Sequence, residues 1–132
     1  MPTRIMVADD SLYARMLAKE AVAQVITDAE FTEAASGEQA LAQAEAAGYA
    51  LDWYLLDINM GAPDGLLTAR QLITAGVPSA RIALVTGNRS NELQSDAAEQ
   101  GLTYIIKTIS PADVDQFIER LRRFFSGTPA GG

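Results

Sequence analysis

The chain alternates between short apolar runs and longer segments whose apolar residues recur at helical spacing. The runs are Arg4–Ala8, Glu30–Ala34, Trp53–Asp57, Ile82–Thr86 and Leu102–Lys107. Three of them hold continuous apolar stretches that suit strands buried on both faces: Ile5-Met6-Val7-Ala8, Trp53-Tyr54-Leu55-Leu56 and Ile82-Ala83-Leu84-Val85. The run at 30–34 is polar, which predicts an edge strand. Between the runs, helices are predicted over Ser11–Ile26, Ser36–Ala47, Asp64–Ala75, Asn88–Gln100 and Pro111–Phe125. The third has a glycine stop at Gly76 with Pro78 beyond it, the fourth ends at Gly101, and the fifth opens with Ser110-Pro111. Strict strand–helix alternation predicts an α/β fold, a doubly wound parallel sheet with helices on both faces. Ligands of such sheets gather outside the carboxyl ends of the strands.

Composition narrows the chemistry. The 132 residues include no His and no Cys. That excludes a disulfide framework, a thiolate nucleophile, a Ser-His-Asp triad and any His- or Cys-ligated metal. A bound metal would be a hard cation on oxygen ligands, Mg²⁺ or Ca²⁺. The length and the 48% hydrophobic content fit one domain with one core. A net charge of −7 argues against direct nucleic-acid binding or attachment to an anionic membrane. No apolar run is long enough for a membrane span or a secretory signal, so a cytoplasmic location is expected. Residues 126–132, Ser-Gly-Thr-Pro-Ala-Gly-Gly, read as a flexible tail or the start of a linker after a domain over 1–125.

The strand ends carry the candidate site. Strand 1 ends in Asp9-Asp10-Ser11, strand 3 in Asp57, strand 4 in Thr86-Gly87 and strand 5 in Lys107, whereas strand 2 contributes nothing comparable. A charge where a strand leaves the core is ordinary; the full set on one rim is not. Three crowded carboxylates repel one another, and Lys107 supplies a single compensating charge. A divalent cation completes the balance, and Mg²⁺ on carboxylates recruits phosphate oxygens. The cluster therefore reads as a Mg²⁺ site suited to phosphoryl transfer. Without His, the covalent acceptor would be a carboxylate, giving an acyl phosphate.

This set closely resembles the receiver domain of two-component response regulators. The stretch Asp57-Ile58-Asn59-Met60-Gly61-Ala62-Pro63-Asp64-Gly65 is similar to the family's D-x-x-M-P-x-x-D-G, and Tyr104 stands three residues before Lys107, at the family's switch aromatic. The resemblance covers about residues 3–125. It implies a flavodoxin-like sheet of order 2-1-3-4-5 and a switch phosphorylated on Asp57 by a sensor histidine kinase or a histidine phosphotransfer protein. Asp10 and Asp57 would hold Mg²⁺ directly, Asp9 through water and Asn59 through its backbone carbonyl. Lys107, the Thr86 hydroxyl and the Gly87 N–H would take phosphoryl oxygens, and Thr86 and Tyr104 would relay the change to a downstream protein target. The resemblance implies no turnover of a separate substrate, only Mg²⁺-dependent gain and loss of the domain's own phosphoryl group. Two positions depart from the family pattern: Thr108 follows the lysine where proline is usual, and Gly61 replaces the proline after Met60, which would loosen that loop.

The last helix offers two stripes. Val114, Ile118, Leu121 and Phe125 would face the sheet. Phe117 and Phe124 would then flank them, either widening that core face or, with Tyr104, building a partner or homodimer face from helix 4, strand 5 and helix 5. Arg120, Arg122 and Arg123 fit a solvated surface and the helix dipole. Trp53 lies about 13 Å from Asp57 along its strand. Competing readings are an Asp-nucleophile phosphatase of the haloacid dehalogenase type, a flavodoxin-like cofactor binder and a degenerate receiver acting only as an interaction module. The phosphatase would want an acid where Asn59 stands, and the cofactor binder a Ser/Thr/Gly-rich loop where Ala8-Asp9-Asp10-Ser11 stands.

Overall fold

The structure, a computed structural model, describes residues 2–107 and 110–127. Five strands, β1 (Thr3–Ala8), β2 (Ala29–Ala34), β3 (Trp53–Leu56), β4 (Ile82–Thr86) and β5 (Thr103–Ile106), form one parallel sheet in the order β2-β1-β3-β4-β5. They alternate with α1 (Leu12–Ala23), α2 (Gly37–Ala46), α3 (Gly65–Thr74), α4 (Asn91–Glu99) and α5 (Val114–Phe125). The doubly wound α/β architecture and its strand order stand as expected, and β2 is an edge. The peptide after Lys107 and residues 128–132 of the expected tail lie outside the described residues. No helix among the described residues is long and apolar enough to cross a membrane.

Each apolar face of the sheet has its own cover. On one side Ile5, Val7, Leu55, Ala83, Val85 and Ile105 pack against Ala18, Ala21 and Val22 of α1 and against Phe117, Leu121 and Phe124 of α5. On the other, Met6, Tyr54, Leu56, Ile82 and Leu84 meet α2, α3 and α4. The small residues Ala40, Ala44 and Ala69, all fully buried, let α2 and α3 approach closely. Parallel pairing runs in register from Ile5↔Trp53 to Ala8↔Leu56, so β1 and β3 end side by side.

Helix starts follow from local chemistry. Ser11, Ser36, Asp64 and Ser90 each accept a hydrogen bond from the backbone N–H three residues on, capping α1 to α4. Gln39 also reaches back to the N–H of Ala35 at 2.9 Å. The α4 and α5 starts fall later than the pattern predicts, because Asn88–Ser90 form a bonded turn and Pro111–Asp113 form a separate 3-10 turn.

Helix α5 corrects the sequence reading. Phe117, Leu121 and Phe124 are the buried stripe, Ile118 and Phe125 flank it, and Val114 is exposed. Both stripes have helical spacing and share Leu121, so periodicity alone does not choose between them. The larger rings win the interior, and Trp53 at the amino end of β3 seats Phe124 and Phe125 at centroid distances of 5.0 and 5.3 Å. Phe117 and Phe124 are therefore core residues and not a partner face.

The loop after β3 is also tied down despite Gly61. The Gly61 carbonyl accepts from Gly37 N–H at 3.0 Å, and Gly65 N–H donates to Ile58 O at 3.0 Å. A Cβ on Gly65 would collide with the Asp57 carbonyl, which explains why glycine must follow Asp64 here. Gly65→Ala is expected to cost about 1–3 kcal/mol through overpacking, read from urea unfolding; a stability equal to the parent would show that this contact is not tight.

Candidate functional site

The backbone ladder continues past the strand ends and fixes the base of each acidic or basic side chain. Asp9 N–H donates to Ala34 O at 2.9 Å, Asp57 N–H to Ala8 O at 2.9 Å, and Lys107 N–H to Thr86 O at 3.0 Å. Their side chains then converge. Lys107 Nζ donates to Asp9 Oδ2 at 2.7 Å and to Asp57 Oδ2 at 3.1 Å. Asp9 and Asp57 are buried and Asp10 is exposed, yet one oxygen from each of the three carboxylates lies within 4.8 Å of the others. Asp9 Oδ1 also accepts from Ser11 N–H at 2.9 Å, which shapes the turn into α1.

Burial lowers the Lys107 pKa, but its bonds to Asp9 and the charge of Asp57 outweigh that and leave it raised. Lys107 is thus firmly protonated at neutral pH. Stripping it would leave two nearly buried carboxylates without a counter-charge, a loss of about 3–5 kcal/mol for such pairs. Even so, three carboxylates against one ammonium leave the cluster short of positive charge. An all-oxygen, partly open, anionic set of this kind fits Mg²⁺. The cavity directly beneath it, bounded by Ala14, Leu17, Val85 and Phe117, holds about 20 Å³, space for one water and not for a nucleotide-like cofactor.

The remaining predicted residues lie beside this cluster. Asn59 is exposed; its N–H points at Asp57 Oδ1 at 3.4 Å and its side-chain oxygen accepts from Asn88 Nδ2 at 3.4 Å. Thr86 is buried at the end of β4, and its hydroxyl oxygen accepts from Asn88 N–H at 3.2 Å. Gly87 is exposed, with open space where a Cβ would stand. Tyr104, half-buried on β5, donates its hydroxyl to Asn88 O at 2.6 Å. Burial, reinforced by the charge of Asp57, raises its phenol pKa, so it stays a donor.

A model of the response regulator receiver domain matches residues 5–119. The chain belongs to that family. No curated protein matches it by sequence. Among solved structures it is similar to the phosphorylated cyanobacterial phytochrome response regulator RcpA, with a TM-score of 0.81, 18% identity and 98% of each chain covered. The Mn²⁺-bound response regulator Rcp1 gives a TM-score of 0.79 at 19% identity, again with 98% of each chain covered. CheY of Borrelia burgdorferi, in its complex with CheX, BeF₃ and Mg²⁺, gives 0.75 at 21% identity, covering 95% of this chain and 90% of that one. Membership removes the phosphatase and cofactor-binder readings, and Asp9, Asp10 and Asp57 form the acidic cluster typical of the receiver Mg²⁺ site.

Sequence reasoning missed three residues around this receiver site. Asn88 bonds Thr86, Asn59, Ser90 and Tyr104 at once. Arg15 donates from Nη1 to the Asp9 carbonyl at 2.6 Å and from Nε to Glu33 at 3.0 Å, and Glu33 also accepts from Lys19 at 2.9 Å. An asparagine two residues past the strand-4 threonine was a visible turn signal for the first. Nothing local announces the Arg15–Glu33 pair, which spans 18 positions.

Two tests follow from this electrostatic arrangement. Asp10→Asn removes one repelling carboxylate, so the Mg²⁺-free thermal midpoint should rise. Mg²⁺ should stabilise the parent by mass action and leave the variant nearly unmoved; calorimetry with and without Mg²⁺ reads both. The hydrogen bonds from Lys19 and then Arg15 hold the Glu33 pKa below its usual 4.5. Its contribution is therefore present above that value and lost as pH falls through the lower folded one, and it is small because the carboxylate is over a third exposed. Lys19→Gln should move the Glu33 titration, followed by carboxyl NMR, back toward 4.5.

Proposed function

We propose that this receiver is a phosphorylation-dependent switch that accepts its phosphoryl group on Asp57. The observation that carries the reading is Lys107 Nζ bridging Asp9 and Asp57 on the rim where Asp10 also converges. A carboxylate oxygen of Asp57 forms the new O–P bond while the donor's bond to phosphorus breaks and its electron pair leaves with the donor. Lys107 balances charge on the phosphoryl oxygens, as do the Thr86 hydroxyl and the Gly87 N–H. Asp10 and Asp57, with Asp9 through water and the Asn59 carbonyl, would hold Mg²⁺, whose chemistry is to neutralise the phosphoryl charge. For Thr86 to reach a phosphoryl group, its oxygen gives up the Asn88 N–H. Asn88 also carries the Tyr104 bond, so the loop after β4 passes the change to the α4–β5–α5 side, where a downstream protein reads it.

These 132 residues include no His, so the phosphoryl donor is a group outside them. A sensor histidine kinase or phosphotransfer protein in the cytoplasm fits best. Leu12, Tyr13 and Met16 support a protein donor: they are 62%, 59% and 47% exposed on the first turns of α1, directly after the Asp9-Asp10 turn.

Incubation with Mg²⁺ and acetyl phosphate should add one phosphoryl group by intact mass, labile to hydroxylamine and absent in Asp57→Asn. An adduct surviving in Asp57→Asn would refute the acceptor, and a parent that takes up none would favour an interaction-only module. Leu12→Ser with Met16→Ser should slow transfer from a protein donor roughly tenfold while leaving the acetyl phosphate reaction unchanged. Equal slowing of both would remove the docking role.

A further inference from the structure

We propose that Arg15, oriented by Glu33, is a positioning residue for the cation site; the inference rests on the acidic cluster binding Mg²⁺. Every polar group of Asp9 is engaged. Its N–H meets Ala34 O at 2.9 Å, Oδ1 meets Ser11 N–H at 2.9 Å, and Oδ2 meets Lys107 at 2.7 Å. Its carbonyl is held by Arg15 Nη1 at 2.6 Å. That carbonyl belongs to the peptide joining Asp9 to Asp10, so its orientation decides where the Asp10 carboxylate leaves the backbone.

The clamp is itself supported. The Arg15 side chain is only 15% exposed and its Nε donates to Glu33 Oε1 at 3.0 Å, while Lys19 occupies Glu33 Oε2 at 2.9 Å. A guanidinium bonded through two of its nitrogens cannot rotate without breaking one bond. Glu33 precedes Ala34, the residue that takes the Asp9 N–H. The edge strand β2 thus grips Asp9 twice, once directly and once through Glu33 and Arg15.

The need for a clamp follows from repulsion. Asp9, Asp10 and Asp57 present like charges within 4.8 Å, and Asp10 is the exposed member, with the most freedom to swing away. Lys107 restrains Asp9 and Asp57 but makes no bond to Asp10. Fixing the peptide ahead of Asp10 keeps its carboxylate near the other two. Supporting residues one step removed from a metal commonly influence its affinity by tenfold or more.

Charge and position predict opposite signs here, so the test discriminates. Arg15 and Lys19 against Glu33 leave one net positive charge beside the cluster; removing a cation would by itself tighten Mg²⁺ binding. Removing a clamp weakens it. Mg²⁺ titration of the full chain, followed by the amide resonances of Asp10 and Ser11, should give a Kd about tenfold higher for Arg15→Gln and an intermediate value for Arg15→Lys. A Kd for Arg15→Gln that is unchanged or lower, including one that accompanies a reduced thermal midpoint, overturns the proposal and leaves Arg15 a structural ion pair. Should Arg15→Gln fail to fold, Arg15→Lys decides, and a parent-like Kd overturns the proposal. A parent protein that binds no Mg²⁺ would instead remove the cation reading on which the proposal stands.

Discussion

Like-charge crowding is the constraint around which this receiver is organised. Asp9, Asp10 and Asp57 are brought together by the sheet itself, because β1 and β3 run side by side in register and end on the same rim. Nothing in that geometry favours three negative charges; it is tolerable because Lys107, delivered by the edge strand β5, bridges two of them. The folded state thus stores an unmet demand for positive charge, which a divalent cation answers. Rigid positioning matters more than any single contact, since an acid free to move would simply turn to solvent.

The sheet supplies that rigidity in a graded way. Asp57 is anchored by a ladder bond to β1, Asp9 by one to β2 and Lys107 by one to β4. Asp10 has no comparable anchor, and its neighbourhood recruits a longer-range support from α1 and β2. On the other side of the site, Asn88 ties Thr86, Asn59 and Tyr104 to the loop after β4 through one residue.

Much of this was legible in the chain. Apolar runs ending in Asp9-Asp10, Asp57, Thr86 and Lys107 gave both the strands and the rim, because a charge at the end of a buried run has few places to go. Boundaries shifted by a residue or a turn where caps and short 3-10 turns intervened, as at Asn88–Ser90 and Pro111–Asp113. The rotation of α5 was not legible, since Phe117/Leu121/Phe124 and Ile118/Leu121/Phe125 are equally helical stripes and the choice depends on Trp53, distant in sequence. The contribution of β2 was hidden too: its polar pattern announced an edge, but the role of Glu33 emerges only when α1 crosses it.

The single indole of the chain is placed at the opposite pole from this chemistry. Trp53 sits at the amino end of β3, wedged edge-on against Phe124 and Phe125 in the last turn of α5. Its emission is therefore a gauge of how firmly the C-terminal helix is seated, and is blind to local events among the carboxylates unless they are carried the length of the sheet. A spectral change on phosphorylation would report mechanical transmission along α5, and a silent indole with a loaded aspartate would mean that the signal leaves through the β4–α4 loop alone.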